Sequence, residues 1–161
     1  MTQNSLTFDA ADERATDRFG AALARSLPKG TVVALRGTLG AGKTRLVRAV
    51  ARSCGVPPEN VTSPTFTLLH EYEGDRTLYH LDAYRVTNEL EFLDLGPEEL
   101  FASADIVFIE WADRVRGCLP EDYLDLEIEV TGSTTRRFHV AAVGSLLSDL
   151  VARLADNLPG H

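Results

Sequence analysis

The stretch Thr31–Val47, "TVVALRGTLGAGKTRLV", governs how the rest of the chain is read. Its first part, Thr31 to Arg36, is β-branched and almost continuously apolar, the pattern of a strand buried on both faces. Its middle meets the spacing G-x-x-x-x-G-K-[ST] with Gly37, Gly42, Lys43 and Thr44, and adds Gly40. Behind it Leu46, Val47, Val50, Ala51 and Cys54 fall on one helical face, and Gly55 stops that helix ahead of Pro57 and Pro58. A strand, a glycine loop and a helix in that order form the setting in which such a loop grips phosphate. Glycines let the backbone curl until its N–H groups point at phosphate oxygens, and the helix N-terminus adds partial positive charge. Lys43 is placed to reach the β- and γ-phosphates, and the Thr44 hydroxyl to hold magnesium. The expected nucleotide contacts are Gly37, Thr38, Leu39, Gly40, Ala41, Gly42, Lys43, Thr44 and Arg45.

Upstream, "SLTF" (Ser5 to Phe8) reads as a short strand. A helix follows, with Asp9 or Asp12 as N-cap and Phe19, Leu23 and Leu27 at near-helical spacing, until Pro28-Lys29-Gly30 breaks it. Downstream, "TFTLLHEY" (Thr65 to Tyr72) and "TLYHLDAYR" (Thr77 to Arg85) read as a hairpin with Gly74-Asp75 at the centre of its turn. Thr87 to Leu100 reads as a helix interrupted at Gly96-Pro97, and "ADIVFIEW" (Ala104 to Trp111) as a second buried parallel strand. "DYLDLEIEV" and "TTRRFHVAAV" alternate around Thr131-Gly132 as an antiparallel pair. A last helix has Ser145 as its N-cap and Leu146, Leu147, Leu150, Val151 and Leu154 on one stripe. The expected fold is α/β, a three-layer domain spanning residues 1–161, with a mixed, mainly parallel sheet and antiparallel C-terminal strands.

Composition bounds the function. The chain has 161 residues, with 24 acidic against 16 basic, a net charge of −8 that makes it a poor stand-alone binder of nucleic acid. Cys54 and Cys118 match no metal spacing and suit a reducing compartment. Asp9, Asp12, Glu13 and Asp17 are wrong for a signal peptide, and no apolar run approaches the ~20 residues of a membrane helix. The expectation is a soluble cytoplasmic protein with no membrane contact.

A nucleotide hydrolase also needs a carboxylate near magnesium and a group that orients water. Glu110 ends the run Ile106-Val107-Phe108-Ile109, at the edge where open α/β sheets bind ligands; the plainer reading is the start of a solvated loop. Asp82 shares one face of an extended strand with His80 and Tyr84, either a site or a solvated sheet face. His80, with no nucleophile or metal set beside it, reads as structural. Trp111 is either core packing or an exposed ring for a substrate or partner. Ser63-Pro64 within "TSPTFT" presents hydroxyls on a loop that could sense a γ-phosphate or simply turn.

"LRGTLGAGKT", "SPTFTLLHEY", "HLDAYR" and "IEW" follow one another here in the order and rough spacing of the TsaE (YjeE) family, which this chain resembles from about residue 5 to residue 130. Members are small bacterial P-loop ATPases of tRNA threonylcarbamoyladenosine biosynthesis. The resemblance implies a P-loop NTPase-like fold, ATP and Mg2+ as cofactors, and catalytic roles for Lys43, Asp82 and Glu110. It implies Thr44 and Glu110 at the metal, with Thr65 and Trp111 close to the nucleotide. It also implies slow hydrolysis alone, stimulated by a TsaD–TsaB complex that modifies the adenosine beside the anticodon, so that tRNA is met only through that complex. Thr38 departs from the acidic residue found in many relatives. The segment after Thr131 carries no matching motif, and the junction from Phe8 to Thr16 is the place expected for adenine. A small-molecule kinase is the main alternative, though no arginine-rich lid is present; a GTPase would need an N-K-x-D stretch, which is absent. A scaffold with a degenerate site fits poorly with intact Gly42, Lys43, Thr44, Asp82 and Glu110.

Overall fold

The computed structural model describes residues 4–38, 40–62 and 69–158. Among the described residues seven strands form one sheet: β1 (Ser5–Ala10), β2 (Thr31–Gly37), β3 (Leu69–Glu73), β4 (Thr77–Asp82), β5 (Ile106–Glu110), β6 (Tyr123–Val130) and β7 (Arg136–Val143). Their spatial order is β1-β7-β6-β2-β5-β4-β3. The middle, β6-β2-β5-β4, is parallel throughout, and both flanks are antiparallel, β3 on β4 at one end and β7 between β6 and β1 at the other. The mixed sheet expected from sequence is therefore present, with its parallel character confined to the centre.

Among the described residues five α-helices cover the two faces: α1 (Glu13–Ser26), α2 (Lys43–Ser53), α3 (Glu89–Leu93), α4 (Pro97–Ser103) and α5 (Leu150–Asn157). The uninterrupted apolar run of β2 explains the layering. Val33 and Leu35 join the core under α1, α2 and α5, with Phe19, Leu46, Val50 and Leu150. Val32 and Ala34 join a second core with Phe92 of α3 and Val115 of the short 3-10 segment Ala112–Cys118. All five residues of β5 are buried for the same reason. Among the described residues no helix is long and apolar enough to cross a membrane.

Local chemistry sets most boundaries. Asp12, not Asp9, caps α1: its Oδ1 accepts the Ala15 N–H at 2.8 Å, while Asp9 accepts from Arg137 Nε at 2.6 Å. Gly20 lets α1 approach α2, since a Cβ there would lie 2.5 Å from the Ala49 Cβ. The expected break at Gly96-Pro97 separates α3 from α4, with Gly96 at φ 68° and Pro97 in the first turn. The turn at Gly74 needs glycine because an added Cβ would run into the Cys54 carbonyl.

Two expected boundaries are corrected. The last helix starts at Leu150, not near Ser145; Ser145 begins a turn in which its carbonyl accepts from Ser148, and Leu146 is exposed rather than on the buried stripe. β4 ends at Asp82, not Arg85, because the Asp82 carboxylate accepts the Tyr84 N–H at 2.8 Å and bends the chain. Tyr84 therefore leaves the strand and does not share its face with His80 and Asp82. Strand β3 is described from Leu69; residues 65 to 68 of the expected strand lie outside the described residues.

Candidate nucleotide site

The site lies where β2, β4 and β5 end beside the start of α2. Gly40 and Gly42 have φ of 80° and 106°, left-handed values that an L side chain would hold only under strain, although space for a Cβ is open at both. Gly42 precedes α2 with no side-chain cap, so the first N–H groups of that helix remain available to a ligand. A cavity of about 360 Å³ fronts them, lined by Gly40 to Arg45 together with Asp82, Tyr84, Glu110 and Trp111. Leu39 and Thr65, both expected at the nucleotide, lie outside the described residues, as does the rest of Ser63–Leu68.

Sheet register brings the two carboxylates together. Asp82 pairs with Glu110 across β4 and β5, one strand position beyond Leu81 and Ile109. On the face toward α2 both strands change character along their length, from Leu78, Ile106 and Phe108 to His80, Asp82 and Glu110. Asp82 and Glu110 are only 3% and 4% exposed, which overturns the readings of a solvated sheet face and a solvated loop. The Thr44 hydroxyl donates to Glu110 Oε2 at 3.2 Å. His80 Nε2 contacts the same oxygen, and His80 is wholly buried. Among the described residues no three His, Cys, Asp or Glu side chains are grouped to hold a metal unaided. The oxygens available at the loop are the Thr44 hydroxyl and the Glu110 carboxylate.

Lys43 is buried and folded onto its own loop, donating to the carbonyls of Gly37 at 2.8 Å and Thr38 at 3.1 Å. Desolvation lowers its pKa below the ordinary lysine value, against the opposing pull of Glu110, Asp82 and Asp113. The Trp111 ring covers its ammonium at 4.1 Å from the ring centre and meets Tyr84 at 5.0 Å. Trp111 also leans on the second core, as the packing reading expects. Among the described residues it is the one non-glycine residue with positive φ, 58°, where the chain leaves β5 and turns into Ala112–Cys118. Such backbone costs about 1–2 kcal/mol for an L residue and gathers at functional sites.

Arg45 turns toward α1, pairing with Glu13 at 3.3 Å and Asp17 at 3.2 Å. Its buried Nε has no hydrogen-bond partner among the described residues. A second cavity, of about 40 Å³, adjoins the loop between Arg45, Glu13, Thr16, Arg136 and Phe138. Thr16 and Glu13 thus fall where adenine was expected, whereas Phe8 is taken up in stacking, 5.3 Å from Phe19. Arg136 was missed by motif: it donates from Nε to the Ala41 carbonyl at 2.8 Å, bracing the loop from β7. Its only signal in sequence was a basic pair, Arg136-Arg137, in an otherwise alternating strand.

A family model described as "Threonylcarbamoyl adenosine biosynthesis protein TsaE" matches residues 10–138. That span reaches past Thr131 to include Arg136. The tRNA threonylcarbamoyladenosine biosynthesis protein TsaE of Treponema pallidum is 41% identical over 126 residues, 78% of this chain and 93% of that protein. The protein of the same name from Bacillus subtilis is 36% identical over 155 residues, 94% of each chain. The crystal structure of Bacillus subtilis YdiB superposes with a TM-score of 0.78 at 29% identity, covering 97% of both chains.

Proposed function

The chain belongs to the TsaE family of tRNA threonylcarbamoyladenosine biosynthesis, and from that premise and the geometry of the loop we propose that it binds and hydrolyses ATP with magnesium in support of that modification. The observation that carries the reading is the hydrogen bond from the Thr44 hydroxyl to the Glu110 carboxylate, with Asp82 beside them, in the cavity at the N-terminus of α2. The residues fit the nucleotide. The left-handed glycines curl the loop around the uncapped N-terminus of α2, where phosphate oxygens would meet helix N–H groups, and Arg45 lines both the main cavity and the small one beside Thr16.

Magnesium bound to Thr44 and Glu110 would supply charge neutralisation on the β- and γ-phosphates. Lys43 exchanges the Gly37 and Thr38 carbonyls for phosphate oxygens when nucleotide enters. Its lowered pKa rises again next to that anion, which keeps it charged. Asp82, fixed by the Tyr84 amide, orients the attacking water. Trp111 and Tyr84 shield the reacting end from solvent. The acidic surface fits a protein that meets tRNA through the TsaD–TsaB complex in the cytoplasm, with slow turnover until that complex is present. The kinase alternative is not favoured, since the family it would have to leave is that of tRNA modification.

Trp111 is the single tryptophan, so titrating ATP while following its fluorescence tests binding at once. A saturable change that requires magnesium and disappears in Thr44→Val is expected. A signal indifferent to nucleotide, together with no phosphate release in the presence of TsaD–TsaB, would contradict the reading.

A further inference from the structure

Behind Glu110 a row of buried polar groups leads away from the loop toward the far edge of the sheet. Glu110 Oε2 contacts His80 Nε2, and His80 Nδ1 lies 3.2 Å from the Tyr72 hydroxyl. That hydroxyl lies 3.0 Å from the Thr62 carbonyl and 3.2 Å from His70 Nδ1. Tyr72 is in β3, and the register His70↔His80 and Tyr72↔Leu78 sets its ring diagonally across from His80. His80 is wholly buried and Tyr72 nearly so, in a core otherwise built from Leu78, Ile106 and Phe108.

We propose that His80 is a positioning residue for the Glu110 carboxylate, and that Tyr72 fixes the His80 ring in turn. This rests on the magnesium-ATP reading given above. Three considerations carry it. A buried imidazole with partners on both nitrogens has its ring plane and tilt determined from both ends. A carboxylate that accepts from Thr44 and meets His80 on the same Oε2 has that oxygen fixed, which leaves Oε1 as the oxygen to turn toward a cation. Apolar side chains would fill this stretch of core at lower desolvation cost, so polar groups here point to a requirement at the site. Groups standing behind a metal ligand typically change metal affinity by about 10–100-fold when removed.

The test separates metal from nucleotide. Thermal stabilisation of the full chain by ADP is measured across a magnesium titration and again in EDTA, for wild type, Glu110→Gln, His80→Leu, His80→Gln and Tyr72→Phe. His80→Leu and Tyr72→Phe should each raise the magnesium concentration for half-maximal stabilisation, His80→Leu by about 10–100-fold, while ADP binding in EDTA stays at the wild-type level. His80→Gln, whose amide can still donate to Glu110, should recover part of the loss. Tyr72→Phe keeps the ring and its packing, so it reports on the relay even if His80→Leu folds poorly. If either His80→Leu or Tyr72→Phe keeps the wild-type magnesium dependence while Glu110→Gln loses it, the relay is wrong and the nucleotide reading stands. A wild-type chain indifferent to magnesium and nucleotide overturns both.

Discussion

The centre of the sheet is buried on both faces and its β6-β7-β1 flank on one, and the two are built from different material. β4 and β5 run through the core as Leu78, Ile106 and Phe108 and finish as His80, Asp82 and Glu110, close to the buried ammonium of Lys43. The flank is closed by aromatic packing: Phe19 of α1 stacks on Phe138 of β7 at 4.4 Å and on Phe8 of β1 at 5.3 Å. Buried charge is costly and seldom adds net stability, whereas buried aromatic area is the main favourable contribution to folding. Substitutions at the strand ends should therefore cost activity and spare stability, and substitutions in the flank should do the reverse.

The largest effect is expected at Lys43. Lys43→Ala should lower ATP hydrolysis by roughly 10²–10³-fold, by analogy with loss of one preorganised donor at a developing charge, with no fall in melting temperature. A clear loss of stability would break the contrast. Phe19→Ala should do the opposite, losing about 3–5 kcal/mol in urea unfolding while nucleotide affinity, measured below the transition, is kept. Trp111 tests the border between the regions. Its left-handed backbone predicts that Trp111→Gly is more stable than Trp111→Ala by about 1–2 kcal/mol, although both lose the ring over Lys43. Equal stabilities would mean that the turn after β5 relaxes. The smallest effect concerns Cys54. Burial pushes its thiol above the ordinary value, so the unfolded chain gives up that proton first as pH rises and stability falls at alkaline pH. Cys54→Ala should flatten that slope in pH-dependent denaturation.

Much of this contrast was legible in the chain because it is written locally. Periodicity around Val50, the break at Gly96-Pro97 and the spacing from Gly37 to Thr44 depend on neighbours in sequence. The solvation of Asp82 and Glu110 was not legible. An acid at a strand end reads the same whether the next strand places a second acid beside it or leaves it in water, and the β4–β5 register decides. His80 read as structural because its partners, Tyr72 and Glu110, come from two other strands. Arg136 carried no motif because it holds a carbonyl, an acceptor that any residue supplies. The parallel pairing of β6 with β2 was likewise hidden, since alternation reports an exposed face and not the neighbour's direction.

Single-turnover phosphate release from ATP with saturating magnesium, in the presence of TsaD–TsaB, separates the roles proposed for the two carboxylates. Wild type, Asp82→Asn and Glu110→Gln are compared at equal nucleotide occupancy. Release is expected from wild type, none above background from Asp82→Asn despite bound ATP, and loss in Glu110→Gln that follows its weakened magnesium binding. Wild-type rates in Asp82→Asn would contradict the role proposed for Asp82.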